Sequence, residues 1–278
     1  MIARRLFLSL LLPALAGAQI ACVLEHCALA LAACEADATC RTWSTCNRNC
    51  GSDLPCQLRC ADLYKPTNAS SAKIDAFSEC VISEHHCIPQ AKEKCPLPAA
   101  HGLASTFDLT ASLTGVWYIT RGFNRQFDCY DCQVHNFTYA PEVAPMSKPL
   151  HGDLKYNVKV DLNCSEGSAN CTYLAREVHQ SFGQDPSVPA HLENHNNSLA
   201  ELHYSDDWYV LYASESAVLI YYCGCNDATC GYSGSVLYSR TPKLPSDAEQ
   251  GKIAAAIKAA AIPGFSFDGM CVPDNWFC

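Results

Sequence analysis

Asp206-Asp207-Trp208-Tyr209-Val210-Leu211-Tyr212-Ala213, Ala217-Val218-Leu219-Ile220-Tyr221-Tyr222-Cys223 and Ser235-Val236-Leu237-Tyr238-Ser239-Arg240 are three apolar runs separated by short polar breaks. Runs of this length with small or polar residues between them predict consecutive antiparallel strands joined by tight turns. Side chains alternate along a strand. Asp206 therefore shares a face with Trp208 and Val210, Tyr222 with Ile220, and Tyr238 with Val236. If those faces close into a barrel, one carboxylate and several phenols line an aromatic interior. A carboxyl in such a place is held protonated to higher pH and can serve as a general acid. The competing reading is plainer: Asp206 caps a turn and the tyrosines only pack on a half-buried sheet.

Working outward, further strands are expected at Gly115–Ile119, Gln133–Tyr139, Leu154–Leu162 and Cys171–Phe182. The stretch 141–152 reads as a loop. So does 183–201, which holds Asp185-Pro186 and the polar run Glu193-Asn194-His195-Asn196-Asn197. About eight short strands with turn signals between them predict a mainly β chain, an antiparallel barrel or sandwich. Ser246-Asp247-Ala248-Glu249 is a capping box and opens an alanine-rich helix from Gln250 to about Ala261, ended by Pro263-Gly264.

Before the strands the composition changes. Cysteines fall at 22, 27, 34, 40, 46, 50, 56, 60, 80, 87 and 95, with few large apolar residues between them. Alanine-rich pieces here predict short helices too small to bury a core, stabilised instead by disulfides at about 2–4 kcal/mol each. The chain holds 20 cysteines in 278 residues, which points to an oxidising compartment rather than to zinc knuckles. Arg4-Arg5, the apolar run Leu6–Leu15 and Ala16-Gly17-Ala18 read as a signal peptide over 1–18, with a twin-arginine flavour. The expected organisation is thus a cysteine-rich domain over 19–95, a Pro- and Gly-bearing linker over 96–105, and a barrel with helix and tail over 106–278. A net charge of −9 without a basic cluster argues against a nucleic-acid partner. No metal is expected.

Gly115-x-Trp117 on the first strand, about eight strands, an arginine after the last and a C-terminal helix resemble the lipocalin pattern, in which Trp117 and Arg240 would form a cation–π pair across the barrel floor. Longer words carry a more specific resemblance. Thr114–Thr120, Phe127-Asp128-Cys129-Tyr130-Asp131-Cys132-Gln133, Gln184-Asp185-Pro186, His203–Tyr209, Tyr221-Tyr222 and the cysteine ladder from Cys22 to Cys60 are similar to the violaxanthin de-epoxidase family, and closest to its de-epoxidase-related branch.

That resemblance implies a lipocalin-like barrel behind a cysteine-rich domain, in the thylakoid lumen or on its membrane surface. The activity implied is ascorbate-dependent removal of epoxide oxygen from violaxanthin, giving antheraxanthin and zeaxanthin. Asp206 is implied as the acid on the epoxide and Tyr222 as its partner. Gln133, Gln180 and Tyr238 are implied around substrate and ascorbate, and Phe182, Tyr204 and Trp208 as apolar or aromatic lining. Asp131 and His195 are implied as acid sensors, coupled to docking on lipid and to a homodimer in acid. The implied disulfides are Cys22–Cys40, Cys27–Cys34, Cys46–Cys60, Cys50–Cys56, Cys80–Cys87 and Cys132–Cys271. Proximity in sequence adds Cys164–Cys171, Cys225–Cys230 and Cys129–Cys278, while Cys223-Gly-Cys225 has a redox or metal pair as its alternative.

The sequence departs from the family at several points. Its glutamate-rich C-terminal region has no counterpart, Ser112 and Cys230 stand where aspartates are expected, and Cys223 and Cys225 replace arginines beside the tyrosine. Two other readings stay open: a carrier of a carotenoid or other apolar ligand, and a secreted disulfide-rich interaction module. A plastid transit segment is not visible, so secretion is the alternative location.

Overall fold

The computed structural model describes residues 17–50, 57, 60–61, 63–64, 69–125, 127–140, 149–159, 171–199, 202–275 and 278. Most of the expected signal peptide, and the partners expected for Cys50 and Cys171, lie outside them. The chain clusters into two compact units: Met1–Ala91 with Leu199–Leu202 and Asp227–Thr229, and Lys92–Ser198 with His203–Asn226 and Cys230–Cys278.

The first unit is helical: α1 (Gly17–His26), α2 (Ala28–Ala36), α3 (Ala38–Cys50), α4 (Ala69–Ser78) and a π-helical turn Glu79–Glu84. Small alanine and cysteine side chains leave little apolar area, and the buried residues gather around cystines. Val23, Cys27, Leu31, Cys80, Val81 and Cys87 form one cluster, and Cys34, Cys40 and Ile74 another. The observed bonds are Cys22–Cys87, Cys27–Cys80, Cys34–Cys40 and Cys46–Cys60. Three implied pairings are therefore corrected, namely Cys22–Cys40, Cys27–Cys34 and Cys80–Cys87. Helix geometry explains the second. Cys27 directly precedes α2 and Cys34 lies in it, so a rise of about 1.5 Å per residue sets them ~10 Å apart, beyond the ~7 Å a disulfide spans. Cys34 instead meets Cys40 across the break at Asp37, whose carboxylate accepts from the Cys40 amide at 2.8 Å and caps α3. With Cys40 occupied, Cys22 and Cys27 bond to the 80–87 segment.

The second unit is a closed antiparallel barrel of eight strands: β1 (Gly115–Gly122), β2 (Asp131–Tyr139), β3 (Leu150–Lys159), β4 (Tyr173–Gln184), β5 (His191–Leu199), β6 (Leu202–Ala213), β7 (Ala217–Asn226) and β8 (Thr229–Ser239). Each strand pairs with the next, and β8 pairs back onto β1. The register shifts between Val210 and Tyr212, so Leu211 and Tyr212 both face outward and Ala213 returns to the interior. One buried cluster fills the interior around Trp117, Phe137, Phe182, Trp208, Val210, Ile220 and Tyr238. Another lies outside, where Leu211, Leu219, Tyr221 and Leu237 pack under α6 (Asp247–Ala260) through Ile253 and Ile257. The short helix α5 (Leu109–Leu113) closes the floor with Leu109 and Leu113. There Arg240 stacks 3.6 Å from the Trp117 ring centroid and donates to the Thr114 and Val116 carbonyls. The Ser246 hydroxyl accepts from the Glu249 amide and caps α6, as its sequence indicates.

Two expectations change. The run Glu193–Asn197 is not loop but strand β5; its inward asparagines are held by other polar groups, so the usual apolar alternation is missing. The stretch 96–105 is a packed strap: Tyr221 Oη donates to the Pro96 carbonyl, Ala99 N to Ala260 O and Ala104 N to Val210 O. Cys95 at its head bonds to Cys223 on β7.

The tail also pairs differently from expectation. Cys129, not Cys132, bonds to Cys271, and Cys132 bonds to Cys278, so neither Cys132–Cys271 nor Cys129–Cys278 forms. Cys271 exchanges both backbone hydrogen bonds with Gly122, and that bridge sets it beside Cys129. Cys225–Cys230 is present across the β7–β8 turn. With Cys223 bonded to Cys95, the Cys223-Gly-Cys225 redox or metal pair is excluded.

Candidate active site

The barrel interior has two levels. The floor is apolar, with Phe137, Leu150, Phe182 and Val210 at 0–1% exposure. Above it, strands that look apolar at one end deliver polar residues at the other. Gln133, Gln180, Asn194, Asn197, Tyr204, Asp206, Tyr222 and Tyr232 are carried there, and the turn before β2 adds Asp128. Val178 and Gln180 point inward yet are only half-buried, so this upper level opens to solvent.

Asp206 stands where β6 pairs with Gly224 of β7. The glycine is required, since a Cβ at 224 would lie 1.9 Å from Asp206 Oδ1. The carboxyl is 6% exposed, and loss of water pushes its pKa from 3.8 up to about 7. Smaller opposing effects come from donors that favour the ionised form. Tyr232 Oη donates to Oδ1, and Asn194 Nδ2 approaches Oδ2 at 3.4 Å. The Trp208 indole also favours the charged form, more than Asn194 does, although its N–H makes no well-formed hydrogen bond. The Asn194 amide is itself oriented: Asn197 Nδ2 donates to its Oδ1 at 2.7 Å, and Ser181 N donates to Asn197 Oδ1 at 3.1 Å.

Asp128 is a second buried carboxyl, 3% exposed. Burial likewise raises its pKa to about 7, against amide bonds from Asn124 at 2.8 Å and Ser235 at 3.1 Å. Tyr222 donates to its Oδ1 at 2.8 Å. Gly234 makes the room, because a Cβ there would sit 2.2 Å from the Tyr222 oxygen. The structure thus holds two carboxyl–phenol pairs, Asp206 with Tyr232 and Asp128 with Tyr222, their phenol rings 6.4 Å apart edge to face. Both phenols are pushed up by burial and by the neighbouring carboxyls, and keep their protons.

The remaining residues singled out in the sequence fall into three places. Gln133 and Gln180 face the interior, and Gln180 donates to the Tyr204 hydroxyl. Gln133 Nε2, Gln180 Oε1 and Trp208 Nε1 are buried without a partner. Phe182 and Tyr238 belong to the floor: Phe182 meets Trp208 edge-on with ring centroids 4.6 Å apart, and Tyr238 Oη meets His135 Nδ1 at 2.7 Å. That histidine is held neutral, its pKa lowered by burial to about 3. Asp131 and His195 are not inside. Asp131 accepts from Asp274 N and pairs with Lys159 at 3.4 Å, with its pKa raised by burial. His195 shares Asp207 Oδ1 with His191, each at 3.0 Å, on the outer face behind Asp206.

Asp128, Tyr232, Asn194 and His135 escaped the sequence reading. Asp128 stood inside a quoted word, but its role comes from a turn folding back under β8. Tyr232 had a visible signal, a tyrosine on the inward parity of a strand.

A family model, the VDE lipocalin domain, matches residues 19–275. The chain is 32% identical over 265 residues to "Violaxanthin de-epoxidase, chloroplastic" of Arabidopsis thaliana, covering 92% of this chain and 52% of that protein. It is 34% identical over 234 residues to the protein of the same name from Spinacia oleracea, covering 81% of this chain and 45% of the relative. The chain spans about half the length of the curated relatives it matches. Among solved structures, apocrustacyanin C2 is similar at 14% identity and a TM-score of 0.42, covering 66% of this chain and 89% of that one. On its match across almost the whole sequence, the chain belongs to the VDE lipocalin domain family.

Proposed function

We propose that this protein removes epoxide oxygen from an epoxy-carotenoid of the violaxanthin type, with ascorbate as reductant and Asp206 as the acid. The observation that carries the reading is a carboxyl whose pKa of about 7 keeps it protonated in mild acid, set directly above an aromatic interior. Opening an epoxide needs a proton on the departing oxygen, and a neutral, buried carboxylic acid supplies one. Each turnover converts a C–O–C epoxide and two hydrogens into C=C and water. Bound ascorbate would supply those two hydrogens, as two protons and two electrons, leaving as dehydroascorbate. The unpaired Gln133 Nε2, Gln180 Oε1 and Trp208 Nε1 suit a polyhydroxylated ligand and are the groups that would hold it.

Asp128 and Tyr222 act beside Asp206. Tyr222 keeps its proton and donates its hydrogen bond to Asp128, and together they offer a second acid–base group to charge developing on the opened ring. Phe182 and Trp208 present apolar surface to the polyene. Because the chemistry needs protonated Asp206, turnover falls as pH rises through about 7. Asp131 and His195 are proposed to sense acid and to favour docking on thylakoid lipid, with the protein in the thylakoid lumen or on its membrane surface; the relatives' names give the chloroplast.

The test is turnover by the full, oxidised chain with violaxanthin in thylakoid-type lipid and ascorbate, at mildly acidic and at neutral pH, with the pigments separated by chromatography. Antheraxanthin and zeaxanthin formed in acid support the reading. Violaxanthin retained on the protein without product would make it a carrier, a role the aromatic interior also suits.

A further inference from the structure

The two oxygens of Asp206 are held differently. Oδ1 accepts the Tyr232 hydroxyl from β8, while Oδ2 faces the Asn194 amide nitrogen at 3.4 Å. Tyr232 reaches over its register partner Gly224, which has no side chain to block the path. Its ring lies against Phe127 at 5.8 Å and Tyr222 at 6.4 Å. Packing, not solvent, therefore sets where the hydroxyl points. As a phenol driven well above its usual pKa by burial and by Asp206 itself, it is available only as a neutral donor.

We propose that Tyr232 is a positioning residue for the acid: its donated hydrogen bond occupies Oδ1 and leaves Oδ2 as the oxygen that carries and delivers the transferable proton. The inference rests on the reading of Asp206 as the acid and deepens it. A proton on Oδ1 would meet the Tyr232 hydroxyl hydrogen head on, so the neutral acid has one preferred tautomer. The same bond favours the ionised form and offsets part of the desolvation. Among the other titratable groups near Asp206, Asp128 changes charge in the same range, whereas the tyrosines do not. Tyr204 on its own strand and Tyr222 from β7 keep their protons. Asp207, also on its own strand, is bonded to His191 and His195, and β5 presents neutral Asn194. Asp128 lies behind Tyr222.

Tyr232→Phe keeps the ring and removes the donor. The expected result is that Asp206 ionises about one pH unit higher, and that the alkaline limb of kcat/KM moves up with it. At the acid plateau kcat falls several-fold, since the proton is then shared between both oxygens. Ionisation is read directly by carboxyl NMR titration of the full chain with labelled aspartate, the Asp206 signal assigned with Asp206→Asn. Tyr232→3-fluorotyrosine, a stronger donor of nearly the same size, moves the titration the opposite way and covers the case in which the phenylalanine variant does not fold. An Asp206 titration and pH limb unchanged in both variants would overturn the proposal and leave Tyr232 a packing residue. Shifted titrations in the two variants, beside a wild-type chain that makes no product, would separate the two claims: the hydrogen-bond role stands and the de-epoxidase reading falls.

Discussion

Asp206 and Asp128 share a pKa of about 7 by the same cause, loss of water inside the barrel, yet their surroundings differ in kind. Asp128 is held by two backbone amides and a phenol, whereas Asp206 has one phenol and an amide side chain. With the same pKa, the two differ in access: Asp128 is tied to backbone on a turn, whereas Asp206 stands on a strand facing the barrel interior. Asp206→Asn should cut turnover by at least ~100-fold while violaxanthin binding, followed by the pigment's absorption, stays within about twofold of the parent. Turnover that survives the change removes the acid role. Tyr222→Phe deprives Asp128 of one of its bonds and should slow turnover less, by about tenfold; an unchanged rate would make Tyr222 a packing residue.

At the scale of strands, the site depends on two places with no side chain. Gly224 and Gly234 are where β7 and β8 let a carboxyl and a phenol cross. Gly224→Ala places a methyl where Asp206 Oδ1 now sits, so the acid must move, and a displacement of about 1 Å can cost about a hundredfold in rate. The comparison is kcat beside the thermal midpoint: a large loss in kcat with a small change in midpoint is expected. Alternation placed Trp208, Val210, Ile220 and Tyr238 on the inner face before any coordinates, because period-two burial of large apolar side chains leaves a plain trace. Strand β5 left none. Asn194 and Asn197 are inward residues whose polarity is satisfied by Asp206 and Ser181 N, and in sequence a polar strand of that kind looks like a loop. The cystines were legible as a class; as partners, Cys46–Cys60 and Cys225–Cys230 match the expectation, and Cys22, Cys27, Cys34, Cys129 and Cys132 pair otherwise. Pairing depends on which helix faces are brought together, and spacing does not report that.

Over the whole molecule, the buried groups couple folding to pH. Asp206 and Asp128 hold protons up to about pH 7 when folded but only to about their ordinary value of 3.8 when unfolded. Their stability contribution is therefore complete below that ordinary value and is lost as pH rises through 7. His135 opposes them: its folded pKa of about 3 lies below its usual 6.5, so its contribution is lost as pH falls from 6.5 towards 3. Two carboxyls outweigh one imidazole, and chemical unfolding should show greater stability in mild acid than at neutrality. Asp206→Asn should exceed the parent at neutral pH by on the order of 1–4 kcal/mol, at about 1.4 kcal/mol per pKa unit, and match it near pH 4. Equal stability at neutrality would mean that the folded chain does not retain that proton. Covalent connectivity has a separate consequence. Cys95–Cys223, Cys129–Cys271 and Cys132–Cys278 each join chain before the exposed turn 185–188 to chain after it. A protease that nicks this turn leaves two fragments in one molecule, which migrates intact on a denaturing gel until a reductant releases them.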